Sequence, residues 1–107
     1  MSSLYKFENK VVDKTNKDEL RSYLANAKKE LVKLRIACGF DESVVIIEDR
    51  ALVKVSLVCN GFSLAVRHGE HAYKTTIKLF KNGSIIQEIS LANLYHPKLI
   101  EQLKALV

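Results

Sequence analysis

The residues with the clearest capacity for chemistry in this 107-residue sequence are two histidines and two cysteines. His68 and His71 lie three residues apart, and Cys38 and Cys59 lie upstream. Imidazole and thiolate groups are the preferred ligands of structural zinc. However, Cys59 falls at the turn end of a predicted hairpin and His68 at its open end, roughly 20 Å away at about 3.3 Å per residue. We therefore expect no metal site, and we expect the histidines to occupy a polar loop.

A catalytic site would need a base or nucleophile, a residue that orients it, and a pocket. Neither cysteine has a neighbouring histidine, and the chain lacks a Gly-rich phosphate loop, a His-Glu-x-x-His run and a Gly-x-Ser-x-Gly elbow. Two cysteines are also too few for a disulfide framework, which fits a reducing compartment. The sequence predicts a non-enzymatic protein without a cofactor, in which both cysteines act as small buried hydrophobic residues.

The basic residues offer a better candidate site. They give the chain a net charge of +5 and a pI near 9.3, which favours polyanions or acidic protein surfaces. Four of them are predicted on one face of a sheet: Lys54, Arg67, Lys74 and Lys78. Two like charges opposite each other repel, so the predicted Lys54–Arg67 pair indicates either solvent or an anionic partner. The leading hypothesis is binding of the RNA or DNA backbone by these four residues, without base stacking because no aromatic pair shares the face.

The same face is predicted to carry an apolar corner formed by Val45, Ile47 and Leu52. Apolar residues are unexpected on a solvated sheet, so either the N-terminal segment or another chain should cover them. The competing hypothesis is therefore a protein-interaction module, either a homodimer or an inhibitor or adaptor of a larger acidic partner. A protruding end of the long helix could add to that interface.

Two helices are predicted to support these surfaces. Asn16 followed by Glu19 has the spacing of a capping box, and Gly39 can adopt the left-handed conformation that ends a helix, so the first helix should span Lys17–Cys38. Its apolar stripe contains Leu20, Leu24, Ala27, Leu31, Leu34 and Cys38. Pro97 is well placed as the first residue of a short last helix.

Between the helices, alternating apolar residues predict strands from residue 44 to residue 91. The predicted strands are residues 44–48, 52–59, 62–68, 73–80 and 85–91. Asn60-Gly61 predicts a two-residue type I′ turn that pairs Cys59 with Phe62 and Val53 with His68. For Asn82-Gly83, polarity favours a three-residue loop with Gly83 as a bulge, which would place Ile85 opposite Leu79.

Length and composition indicate the number of domains and the class of protein. The chain has the size of one domain, residues 1–107, with residues 1–14 predicted as an irregular or edge-strand arm. No leader-like segment or run of about 18 apolar residues occurs, so we expect a cytoplasmic or otherwise intracellular protein with no membrane association. The predicted fold class is α+β: an antiparallel β-meander of four to five strands, with a long N-terminal and a short C-terminal helix packed on one face.

Overall fold

The computed structural model describes residues 16–68 and 75–107. The elements in chain order are α1 (Lys17–Cys38), β1 (Val45–Asp49), β2 (Lys54–Cys59), β3 (Phe62–His68), β4 (Thr75–Lys81), β5 (Ser84–Ile89), a single 3₁₀ turn (Leu91–Asn93) and α2 (Pro97–Leu106). The strands form one antiparallel sheet in the order β1-β2-β3-β4-β5. The predicted α+β class is confirmed. The predicted N-terminal arm lies outside the described residues.

Helix α1 begins and ends where the capping signals predict. The side chain of Asn16 accepts hydrogen bonds from the backbone N–H groups of Asp18 and Glu19, at 3.0 and 3.3 Å. At the other end Gly39 has a φ of 69°, and the N–H groups of Gly39 and Phe40 donate to carbonyl oxygens of the last turn. This is the Schellman arrangement, which satisfies carbonyls that the helix itself leaves unpaired.

Both helices pack on one face of the sheet, which we call the inner face. The core between them contains apolar residues from α1 (Tyr23, Leu24, Ala27, Leu31, Leu34, Cys38), from the strands (Val55, Leu57, Phe62, Leu64, Val66, Ile77, Leu79, Ile89) and from α2 (Leu99, Leu103). Side chains of successive strand residues point to opposite sides of a sheet. The residues between these core positions therefore form the opposite, outer face.

The β2–β3 hairpin has the predicted register, with Cys59 opposite Phe62 and Lys54 opposite Arg67. Its turn has a different type from the one predicted. Gly61 has a φ of 106°, but among the described residues only Val53 and Asn82 are non-glycine residues with positive φ. Asn60 is therefore not left-handed, and the turn has the type II pattern, in which glycine follows a residue with negative φ.

Strand β2 begins two residues later than predicted. Val53 has a φ of 49°, which a β-strand cannot contain, and it closes the β1–β2 turn by donating its N–H to the carbonyl oxygen of Arg50 at 3.3 Å. The ladder starts at the Lys54–Arg67 pair, so the predicted pairing of Val53 with His68 is wrong.

The predicted register of the β4–β5 hairpin is also wrong. Asn82 and Gly83, with φ values of 53° and 81°, form a two-residue turn that pairs Lys81 with Ser84. The extra residue lies inside β5, where the register shifts between the Phe80–Ile85 and Leu79–Gln87 pairs. Ile86 is thus a β-bulge. The prediction placed the extra residue in the turn, at Gly83, whereas it lies within β5. This position brings Ile89 opposite Ile77, and both side chains are buried in the core.

Candidate interaction surface

The registers place the outer-face residues of the five strands in three rows. The row nearest the two Asn-Gly turns contains Val45, Val58, Ser63, Phe80 and Ile85. The middle row contains Ile47, Ser56, Ala65, Lys78 and Glu88. The third row contains Asp49, Lys54, Arg67 and Thr76. The outer face therefore changes from apolar to charged along the strand direction.

We call Val45, Ile47, Val58, Phe80 and Ile85 the apolar band. Val45, Ile47 and Ile85 expose 45%, 51% and 56% of their surface, although each is a large apolar residue. Val58 and Phe80 are half-buried between them. The band reaches both edge strands, because Val45 and Ile47 belong to β1 and Ile85 belongs to β5. It therefore extends from one edge of the sheet to the other, interrupted at β3 by Ser63.

A shallow depression lies within the apolar band, between the two Asn-Gly turns. It has a volume of about 230 Å³ and is lined by Val58, Ser63, Phe80 and the two turn glycines, with Cys59 at its side. Burial raises the pKa of the Cys59 thiol, which disfavours the nucleophilic thiolate. Val58 and Phe80 supply the apolar part of its lining, and Ser63 and Asn82 supply polar groups.

Leu52, the third residue of the predicted apolar corner, does not join the band. It lies in the turn after Asp49, at the opposite end of β1 from Val45, and its N–H donates to Asp49 Oδ1 at 3.1 Å. Its exposure of 38% is lower than that of the band residues on β1. The structure instead brings Val45 and Ile47 together with Val58, Phe80 and Ile85, which the sequence patterns did not single out.

The basic cluster consists of Lys54, Arg67 and Lys78, all half-buried on the outer face. Lys54 lies directly opposite Arg67, as predicted, and Lys78 lies one row away. Each lysine also has an acidic residue opposite it on an edge strand: Asp49 faces Lys54, and Glu88 faces Lys78. These acids reduce the positive potential of the cluster. The fourth predicted residue, Lys74, lies outside the described residues.

A second groove lies between β5 and α2, with a volume of about 270 Å³. Its lining is polar and includes Glu88, Ser90, Asn93, His96 and Lys98. His96 caps α2, since its Nδ1 accepts a hydrogen bond from the N–H of Lys98 at 3.1 Å. Within residues 16–68 and 75–107, no three His, Cys, Asp or Glu side chains are grouped so that they could hold a metal ion.

Neither described helix has the combination of length and apolar character that is needed to cross a bilayer. No protein-family model, curated protein or solved structure matched the chain. Its function is therefore inferred from the surfaces described above.

Proposed function

We propose that this protein is a non-enzymatic protein-interaction module that binds its partner with the outer sheet face. The apolar band is the observation that carries the proposal. Three large apolar residues of the band are about half exposed on the face opposite the helices. Complete burial of a fully exposed side chain of this size contributes roughly 1.5–3 kcal/mol, so covering the exposed half of each contributes about half of that. A partner that covers Val45, Ile47 and Ile85 together would therefore gain substantial binding free energy.

The basic cluster indicates the chemistry of that partner. Lys78 lies two residues from Phe80 of the band on β4, and Lys54 and Arg67 lie in the next row of the same face. A protein surface with an apolar ridge and adjacent carboxylates would fill the band and pair with the cluster. Complementary charges of this kind raise the association rate and select the correct orientation of the partner.

A second copy of the chain complements this face less well. If two sheets stacked with their bands superposed along parallel strand ends, Lys54 and Arg67 of both copies would meet and repel. If one sheet were reversed so that the faces still overlapped fully, the basic cluster of each copy would lie against the apolar band of the other. Burial of charged groups against apolar residues is costly. An acidic and apolar protein of a different sequence avoids both costs.

The proposal is tested by affinity capture from an extract of the source cells with four immobilised proteins. These are the wild type, Ile47→Asp, Ile85→Asp and the matched control Ile36→Asp. Ile36 is an equally apolar residue, 70% exposed on α1 and distant from the outer face. We expect the wild type and Ile36→Asp to retain the same acidic protein and both band variants to lose it. Equal capture by all four proteins, or capture by none, would refute the proposal.

Sedimentation velocity at several concentrations identifies the alternative occupant. If the purified wild type forms a dimer that Ile47→Asp abolishes and Ile36→Asp retains, the band binds a second copy and the proposal of an acidic partner is wrong. We expect the wild type to remain monomeric. Its monomeric state would leave the band free for the proposed partner.

A second candidate function is binding of the RNA or DNA backbone by the basic cluster. The direct opposition of Lys54 and Arg67, with Lys78 in the next row, favours it. The acidic partners Asp49 and Glu88 weaken it, because they flank the cluster on both edge strands. In this case Lys54→Glu with Arg67→Glu should abolish binding of nucleic acid at about 50 mM salt, where backbone contacts are strong.

A further inference from the structure

The solvent-facing side of α1 carries a strip of positive charge that is separate from the sheet. Its exposed members are Arg21, Lys28, Lys29 and Lys33. Between Leu20 and Phe40 the only acidic residue is Glu30, which is 4% exposed. We call these four exposed residues the α1 basic strip. Asp18, three residues before Arg21, is an exposed acid on the same helix, but Lys28, Lys29 and Lys33 have no exposed acidic residue within four positions.

The buried carboxylate of Glu30 is already engaged inside the protein. It accepts a hydrogen bond from the hydroxyl of Tyr95, and its other oxygen lies 3.7 Å from Nζ of Lys33. Lys33 remains half exposed beyond this contact. Glu30 therefore offsets part of the charge of Lys33 and leaves Arg21, Lys28 and Lys29 to face solvent.

The strip is held on a rigid support. Helix α1 is capped at both ends by Asn16 and Gly39, and its opposite side is buried in the core. At about 1.5 Å of rise per residue, the strip from Arg21 to Lys33 extends roughly 18 Å along the helix. Lys28 and Lys29 point about 100° apart around the axis. The strip therefore has two flanks rather than a single line of charge.

We propose that the α1 basic strip binds the sugar–phosphate backbone of a nucleic acid duplex without reading its sequence. Each strand of a duplex presents one phosphate per about 3.4 Å of helix axis, so a rigid strip roughly 18 Å long faces several phosphates at once. Lysine side chains contact phosphates as mobile point charges, which suits backbone contacts rather than base readout.

An anionic bilayer fits the strip less well than a duplex. Membrane-surface helices combine a basic face with a free apolar face that enters the lipid. In α1 the apolar stripe is buried against the sheet, and Ile36 is the one strongly exposed large apolar side chain among the described residues of this helix. The helix thus offers charge to a partner but no apolar face that could insert into lipid.

The test measures the binding of a fluorescent duplex of about 20 base pairs and mixed sequence by anisotropy, over a series of salt concentrations. Four phosphate contacts should give a slope of log affinity against log salt of about −3 to −4. The variant Lys28→Glu with Lys29→Glu should weaken binding by at least ~10-fold and make the slope shallower by about 2. The matched control is Lys98→Glu with Lys104→Glu, which makes the same charge change at two exposed lysines of α2.

The variant also separates binding from folding. Lys29 and Lys33 are four residues apart on α1, so they form a like-charge pair that Lys29→Glu converts into an attractive pair. We therefore expect the thermal midpoint of this variant to remain unchanged or to rise while binding is lost. A structural explanation of the lost binding would require the midpoint to fall.

Four results would overturn the proposal. The first is absence of binding at about 50 mM salt, and the second is an equal loss of affinity in the α1 and α2 double variants. The third is a loss confined to Lys54→Glu with Arg67→Glu, which would place the site on the sheet. The fourth is binding to vesicles of phosphatidylcholine and phosphatidylserine without binding to the duplex. None of these results bears on the apolar band, so this proposal and the proposed partner binding can fail separately.

Discussion

The hydroxyl of Tyr95 donates a hydrogen bond to the carboxylate of Glu30 and lies 3.1 Å from the backbone carbonyl oxygen of the same residue. The two residues are 65 positions apart in the chain. Glu30 lies in the middle of α1, and Tyr95 immediately precedes His96, the residue that caps α2. This contact therefore attaches the start of α2 to the centre of α1 and supplies a partner for a buried carboxylate.

Tyr95→Phe should lower the free energy of unfolding by about 2–3 kcal/mol, because it leaves the buried carboxylate of Glu30 without its hydroxyl donor. Urea unfolding monitored by circular dichroism measures the change. Glu30→Gln is the control, because the amide can still accept from the Tyr95 hydroxyl and carries no buried charge; its cost should be smaller. A loss below about 0.5 kcal/mol for Tyr95→Phe would mean that the contact contributes little.

The buried tyrosine of α1 predicts a loss of stability at alkaline pH. The hydroxyl of Tyr23 lies 2.7 Å from Oγ1 of Thr75, and burial raises the pKa of Tyr23 to about 12. In the unfolded chain the hydroxyl of Tyr23 ionises near pH 10. The contribution of Tyr23 to the free energy of unfolding is therefore complete below pH 10 and is lost as the pH rises from 10 to about 12. The loss is on the order of 2–3 kcal/mol.

Urea unfolding of the wild type and of Tyr23→Phe at several pH values from 9 upward isolates this contribution, because other groups that lose protons are shared by both proteins. The stability of the wild type should fall more steeply with pH than that of Tyr23→Phe. Parallel curves for the two proteins would show that ionisation of Tyr23 does not control alkaline unfolding.

The ends of α1 were predictable because the signals that set them are local. Asn16 and Gly39 bond to backbone groups within one turn of the chain, so their roles can be read from adjacent residues. The sequence pattern does not predict the burial of Glu30 and Tyr23, because the apolar stripe of α1 contains only aliphatic residues and cysteine. Their burial depends on partners in β4 and next to α2, Thr75 and Tyr95, which lie far away in sequence.

The two Asn-Gly turns also depend on residues that are distant in sequence. Asn82 adopts positive φ whereas Asn60 does not, although the dipeptides are identical. At the first turn the C-terminal end of α2 lies close by, with the carbonyl oxygen of Leu106 3.8 Å from the position of a Cβ on Gly61; nothing lies within 4 Å of the same position on Gly83. The two turns therefore have different surroundings, and the identical dipeptides alone do not predict the difference in φ between Asn60 and Asn82.

The candidate site was predictable only in its central part. The Lys54–Arg67 opposition follows from one short hairpin, and it was predicted correctly. The acids Asp49 and Glu88 change the potential of this cluster, but they come from the edge strands. Their positions depend on the β1–β2 turn and on the bulge in β5, where the sequence signals were ambiguous.

The left-handed conformation of Val53 predicts an unusual order of stabilities. A β-branched residue with a φ of 49° is strained, and Val53 is also fully buried. Val53→Ala and Val53→Gly both lose the buried side chain, but only glycine accepts this φ without a penalty, which is roughly 1–2 kcal/mol for other residues. We expect Val53→Gly to be at least as stable as Val53→Ala in thermal unfolding. The ordinary order, with alanine more stable by about 0.5–1 kcal/mol, would show that the turn relaxes to a negative φ.

The bulge at Ile86 predicts that one particular deletion is tolerated. Removal of Ile86 makes β5 regular and leaves Phe80 opposite Ile85, Leu79 opposite Gln87 and Ile77 opposite Ile89. Every remaining residue of β5 keeps its partner and its face, so the change in the free energy of unfolding should stay within about 1 kcal/mol. Urea unfolding and the amide chemical shifts of β4 measure the outcome.

Deletion of Val58 is the matched control, because it removes one apolar residue from the interior of β2, where the ladders to β1 and β3 contain no bulge. A slip of one residue moves the remaining side chains of a strand to the opposite face, so Val55 and Leu57 would exchange the core for solvent or lose their pairing with β3. We expect this variant not to fold. If the deletion of Ile86 proved as damaging as that of Val58, the extra residue would have to be a required part of the sheet rather than an insertion that the ladder accommodates.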